Sequence, residues 1–265
     1  MPAKKNVRGA ISRSGFCRSR STNLTLPEEA TIYDRLLLSL RSTDAVLTFN
    51  WDPFLFDVYQ RNRAAAPLPK ILFLHGNVRI GACLEHDRWG ARNACCPDCP
   101  KCFTRVPLLY PTKQKNYSSV RYIRRSQEAA KAFFGEAFTI TIFGYGAPDS
   151  DAYAVELLKQ AWFSRSQRTF EHVEIIDTAC STCLHGRWSP FTPTYHYCAT
   201  EAFEHCRIAR WPRRSCEALL CPMTQGLPCE DFPLPNTRNL AELQTAASEI
   251  ARHEAQLIPA ASERC

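Results

Sequence analysis

Four short β-prone apolar runs, Ala45–Phe49, Lys70–Leu74, Phe138–Phe143 and Val173–Ile176, are separated by stretches with helical spacing. This alternation most narrows the folds open to the chain. Strands alternating with helices at such intervals build right-handed βαβ units, whose parallel strands are covered on both faces. The expected class is α/β, a Rossmann-like and mostly parallel sheet. Pro27-Glu28-Glu29 opens a helical pattern through Ile32, Leu36, Leu37 and Leu40, with acids where the helix dipole favours them. Pro53 suits the first position of a second helix, whose apolar face is Phe54, Leu55, Val58 and Tyr59, until Pro67 and Pro69 stop it. Ser118 or Ser119 caps a third helix to about Ala132, and Asp149 to Asp151 cap a fourth to about Phe163. Beyond Asp177, helical patterns at 202–210, 213–220 and 240–257 read as a helical cover.

In open sheets of this class, ligands bind beyond the carboxyl ends of the strands. Asn50, Asp52, His75, Gly144, Gly146 and Asp177 all fall there, and are expected to converge on one crevice.

Between Asn77 and about Val106 the periodicity stops, and Cys, Pro, Gly and Arg take over. An insertion of this composition is held by something other than apolar packing. Cys83 and His86 are followed by Cys95, Cys96, Cys99 and Cys102, with Cys-Pro-Asp-Cys and Cys-Pro-Lys-Cys knuckles. Pairs at this spacing turn adjacent amides toward thiolates, and two pairs close a tetrahedral Zn²⁺ site. The favoured set is Cys83, His86, Cys96 and Cys99. Cys102 is able to replace His86 or one cysteine, and Cys95 is a bystander. Four protein ligands leave no open position, so such a metal is structural. Cys180 and Cys183 share the spacing but have no second pair nearby, and Cys198, Cys206, Cys216, Cys221, Cys229 and Cys265 form no pattern.

Apolar residues at 45% and charged residues at 22% exclude a disordered or fibrous chain. No window approaches the ~18 continuous apolar residues of a membrane span. The absence of a secretory leader points to the cytoplasm, where the 14 cysteines favour metal over disulfides. Of the formal charge of +7, six units come from Lys4, Lys5, Arg8, Arg13, Arg18 and Arg20, all before the first acid, Glu28. The body is nearly neutral, which makes a nucleic-acid partner unlikely. The expected organisation is a basic tail over 1–27, a Rossmann-type domain over 28–178 with its insertion at about 77–106, and a helical extension over 179–265.

The order of these motifs, Thr-Phe-Asn-Trp-Asp (48–52), Leu-His-Gly (74–76), the cysteine insertion, then Phe-Gly-Tyr-Gly-Ala-Pro-Asp-Ser-Asp (143–151), resembles the sirtuin-like superfamily. Trp51 and the Gly-Tyr-Gly-Ala-Pro-Asp segment look more like its bacterial branch than the histone-deacetylating one. The resemblance covers roughly Ala45 to Asp177. It implies an NAD-binding domain that breaks the bond between nicotinamide and ribose. Asn50 and Asp52 would then hold nicotinamide and the ribose water, with His75 as general base. Thr48, Gly144 and Gly146 would approach the dinucleotide, and Asp177 the adenosine ribose. Oxocarbenium-like charge on the ribose suits a nearby carboxylate, and an imidazole suits proton transfer near neutral pH. The glycine-rich first turn of such domains has only a faint echo in Gly9-Ala10-Ile11-Ser12. The function the resemblance implies is NAD hydrolysis, as in bacterial defence systems. A shortened or inactive relative, an NAD-dependent deacylase, and a zinc-stabilised nucleic-acid binder using the tail with Arg121, Arg124 and Arg125 are the alternatives. A homo-oligomer or protein partner is left open.

Overall fold

The computed structural model describes residues 25–109, 121–146, 155–156, 159–160, 172–179, 184, 188, 197–224, 226–227 and 229–257. The expected basic tail up to residue 24, the proposed caps at Ser118, Ser119 and Asp149 to Asp151, and Cys180, Cys183 and Cys265 lie outside them. The chain forms two compact units, one gathering 45–53 and 71–201, the other 23–44, 54–70 and 202–265.

In the first unit, β1 (Ala45–Thr48) pairs with β2 (Lys70–Phe73). The Lys70 N–H donates to the Asp44 carbonyl and the Leu74 N–H to the Thr48 carbonyl, 3.0 and 2.9 Å. The sequence offset is the same at both ends of the pair, as parallel strands require. A second sheet, in the order β6 (Thr139–Phe143), β7 (His172–Ile176), β8 (Tyr197–Thr200), is parallel throughout. The expected parallel strands are present, and among the described residues they form two hydrogen-bonded sheets. They share one core: Ala45, Leu47, Leu72, Ile140, Ile142, Val173 and Ile175 pack with Ala130 and Phe134 of α3 (Arg121–Glu136). Burying a side chain of this kind contributes about 1.5–3 kcal/mol. Tyr122, Ile123, Ser126, Gln127, Ala130 and Phe134 repeat at three or four residues, which turns one face of α3 inward.

The insertion is an antiparallel sheet in the order β4 (Arg88–Ala91), β3 (Ile80–Cys83), β5 (Thr104–Arg105). Phe103 fills its interior, and only glycine leaves room for the ring. A Cβ at Gly81 would stand 2.9 Å from Phe103 Cβ, and one at Gly90 2.8 Å from Phe103 Cε2.

The second unit is helical. It comprises α1 (Ile32–Leu38), α2 (Phe54–Asn62), a 3₁₀ turn at Phe203–His205, α4 (Arg207–Arg210), α5 (Ser215–Met223) and α6 (Leu240–Leu257). The first helix starts later than the sequence suggests. Asp34, fully buried, accepts from Thr31 N and Thr31 Oγ1 at 2.7 and 2.6 Å, so the helix is fixed at Thr31 and not at Pro27. The same carboxylate pairs with Arg61 and accepts from Asn62 Nδ2 at 2.7 Å. Gln244 of α6 donates to the Arg61 carbonyl and to Asn62 Oδ1, both at 3.0 Å. Buried Arg213 donates to the Leu40 and Pro67 carbonyls and pairs with Glu254 at 2.7 Å. Residues 179–265 are therefore not uniformly helical, since Tyr197–Thr200 is a strand. Its four residues, Tyr-Cys-Ala-Thr, include no Val, Ile or Leu and pair in parallel with the β7 edge. Among the described residues no helix is long and apolar enough to cross a membrane.

Candidate functional site

Three strand ends meet through a chain of aromatic rings. Phe49 follows β1 directly; its ring lies 4.9 Å from that of His75, two residues past β2, and 5.3 Å from that of Tyr145, two residues past β6. Tyr145 in turn lies 6.2 Å from Trp188, itself completely buried. Ring pairs at these separations add about 0.5–1.5 kcal/mol beyond their buried area, so the carboxyl ends of β1, β2 and β6 are held together by packing. His75 is one of these rings, and Asn50 and Gly144 adjoin Phe49 and Tyr145 along the chain.

Thr48 ends β1, and its Oγ1 accepts the Asn50 N–H at 3.1 Å, curling the chain as it leaves the strand. Asn50 and Asp52 occupy that turn, half-buried. His75 is buried, and Gly76 after it has φ +84°. A Cβ at Gly76 would lie 3.1 Å from the Pro107 carbonyl oxygen, and the Leu109 N–H donates to the His75 carbonyl at 3.0 Å. The His75 turn therefore passes close beneath the segment that leaves the insertion. Gly144, with φ +60°, donates its N–H to the Ile176 carbonyl at 2.9 Å and carries the β6–β7 ladder one residue further. Gly146 lies two residues beyond. Asp177 follows β7; its Oδ1 accepts the Ala179 N–H at 2.8 Å, which commits that oxygen to its own turn.

Asn77 escaped the sequence reading. It is completely buried; its Nδ2 donates to the Asp52 carbonyl at 2.7 Å, and its Oδ1 accepts the Arg79 N–H at 2.8 Å. The Val78 N–H adds a bond to the Trp51 carbonyl at 3.1 Å. The β1 turn is thus clasped to the chain just beyond His75.

Cys83, His86, Cys96 and Cys99 come together, with one donor atom from each within 4.8 Å of all the others. Cys83 Sγ lies 3.6 Å from His86 Nδ1 and 3.8 Å from Cys99 Sγ, and Cys96 Sγ lies 3.9 Å from His86 Nδ1. A tetrahedral ion bound at about 2.3 Å to sulfur and about 2.05 Å to nitrogen sets sulfur–sulfur edges near 3.8 Å and sulfur–nitrogen edges near 3.6 Å. The donor set fits such an ion. His86 and its own N–H, with the Glu85 N–H, donate to Cys83 and bring its thiol down to about 6, close to the state a metal needs. Cys95 and Cys102 instead form an antiparallel bridge with exposed thiols, so Cys102 is not in the cluster. Lys101–Glu85 at 2.5 Å and Arg88–Asp98 at 2.6 Å strap one knuckle to the other.

The three arginines of α3 are engaged within the protein. Arg125 and Arg121 pair with Asp87 at 2.7 and 3.5 Å, and Arg125 also lies over the Trp89 ring. Arg124 faces Glu128 at 3.8 Å.

No family model matches this chain, and no curated protein is similar to it in sequence. Among solved structures it is similar to a Sir2 homolog–NAD complex, at 14% identity and a TM-score of 0.34, over 66% of this chain and 59% of that one. It is similar also to a structure of a Sir2 enzyme at 14% identity and 0.33, over 59% of this chain and 62% of that one. A mutant Sir2 homologue bound to ADP ribose matches at 10% identity and 0.36, over 74% and 68%. The chain thus spans about three-fifths of the length of the first two.

Proposed function

We propose that this chain is a sirtuin-like NAD-binding protein that hydrolyses the nicotinamide–ribose bond in bacterial defence. The observation that carries the reading is the His75–Phe49–Tyr145 ring chain. It gathers the ends of β1, β2 and β6, the positions from which Asn50, Asp52, His75 and Gly144 would act. The order of those motifs along the chain supports the same family.

When the bond breaks, its electron pair leaves with nicotinamide and the ribose acquires oxocarbenium-like charge. In this reading the Asp52 carboxylate stabilises that charge, Asn50 orients the amide of nicotinamide, and His75 accepts the proton of the attacking water. Thr48, Gly144 and Gly146 line the dinucleotide, and Asp177 takes the adenosine ribose. Zinc is the metal proposed for Cys83, His86, Cys96 and Cys99. With all four positions filled by protein, it holds the insertion together and takes no part in the reaction.

The test is nicotinamide release from NAD by purified protein, with and without an acetyl-lysine peptide, beside His75→Ala. Release without peptide that vanishes in the variant is the expected result. Peptide-dependent release points to a deacylase, and no release in either arm to a catalytically silent relative.

A further inference from the structure

Several cysteines fall outside both knuckle-spaced groups, and the second unit brings two of them together. Cys229 Sγ donates to Cys221 Sγ across 3.6 Å. Cys221 lies near the end of α5, and Cys229 in the extended segment that follows. Two restraints fix the approach. The Gly226 N–H donates to the Cys221 carbonyl at 2.8 Å, and a Cβ at Gly226 would stand 2.9 Å from that same oxygen. The chain turns back on the helix end so tightly that only glycine fits. Beyond the turn, Trp211 Nε1 donates to the Cys229 and Glu230 carbonyls at 3.2 and 3.0 Å. Arg210 lies over that indole at 4.4 Å and pairs with Asp231 at 2.9 Å. Both thiols are half-buried and within reach of small reagents, whereas Cys206 and Cys216 are buried.

We propose that Cys221 and Cys229 form a dithiol that closes to a disulfide when a peroxide or a small-molecule disulfide is present, fastening the end of α5 to the Cys229–Asp231 segment. With hydrogen peroxide, Cys221 attacks one oxygen and becomes a sulfenic acid, and the other oxygen leaves as water. Cys229 then attacks the Cys221 sulfur and expels the second water. Two thiol protons and two electrons pass to the peroxide, and one S–S bond forms. With oxidised glutathione, two glutathione thiols leave instead. Cys229 as the hydrogen donor fits Cys221 as the attacking sulfur. The sulfurs must close from 3.6 Å to about 2.05 Å.

The test uses the full chain with its metal complement, treated with graded peroxide or glutathione buffers, alkylated, and cleaved with trypsin. A single peptide, 215–238, carries Cys216, Cys221 and Cys229. The expected product is two hydrogens lighter before alkylation and keeps one alkyl label, on Cys216; dithiothreitol restores all three. Retention of three labels at oxidant levels that close the pair in the unfolded chain, or missing labels that map to Cys216, overturns the proposal. Gly226→Val is expected to slow closure by crowding the Cys221 carbonyl. Trp211→Phe, which removes the hydrogen bonds to the Cys229 and Glu230 carbonyls and shortens the ring beneath Arg210, gives a second variant. Unchanged rates in both would refute the positional argument.

Discussion

Asn77 uses both halves of its amide, one to donate to the Asp52 carbonyl and one to accept from Arg79, in a position closed to water. An aspartate there would keep the acceptor and lose the donor, setting a buried carboxylate against a carbonyl oxygen. Asn77→Asp is therefore expected to lower stability by roughly 2–3 kcal/mol, measured by urea unfolding at pH 7. Asn77→Ser, smaller and still polar, should cost less. Such a residue is hidden from sequence reasoning because its partners are backbone atoms 25 positions away or in its own turn. The metal cluster is the opposite case. Two-residue spacing within Cys96-Pro-Asp-Cys99, and Cys83 to His86 across one turn, are local geometry and can be read directly. Cys221 and Cys229 share no such spacing, and their approach depends on a glycine turn and a tryptophan.

The cysteine insertion is the element whose integrity depends most on a single ring and a single ion. Phe103 is seated on Gly81 and Gly90, and the hairpin carrying it also carries Cys96 and Cys99. If zinc fills the four donors, content is near one ion per chain. Cys99→Ser should abolish it, while Cys102→Ser and Cys180→Ser leave it unchanged, as read by metal analysis after gel filtration. Gly90→Ala should keep the donors but displace Phe103, so that chelator strips the metal faster than from the parent chain. Stripping is also expected to speed up as pH falls through about 6. In the metal-free cluster the Cys83 thiolate, favoured by His86, is protonated below about that value, so the proton competes with an ion rebinding. Element boundaries were legible where the signal was internal. β1 and β2 follow their apolar runs, and α6 spans the residues its pattern marks. The start of α1 and the presence of β8 were not, since one is set by a capping carboxylate and the other by a neighbouring strand.

At the scale of the whole molecule, the α/β alternation is readable, but the division into two units is not. The chain passes between them near 45, 54, 71 and 202, at ordinary strand and helix ends with no change in composition. What unites the helical unit is a polar cluster centred on Asp34, buried with Arg61, Asn62 and Thr31 around it. Burial by itself would raise its carboxyl, but hydrogen bonds from Arg61, Thr31 and Asn62 outweigh that and leave it below its ordinary 3.8. A carboxyl depressed on folding binds fewer protons in the native state than in the unfolded one. Its stabilisation is thus complete above about pH 4, the unfolded value, and is lost as pH falls through the lower folded value. Asp34→Asn removes one partner of a buried pair, for which about 3–5 kcal/mol is usual; Arg61 retains some solvent, so the expected loss at pH 7 is near 3 kcal/mol. The difference between parent and variant should narrow as unfolding is repeated from pH 5 down to pH 2. A gap that stays constant across that range would mean that the carboxylate's charge is not what holds α1 against α2.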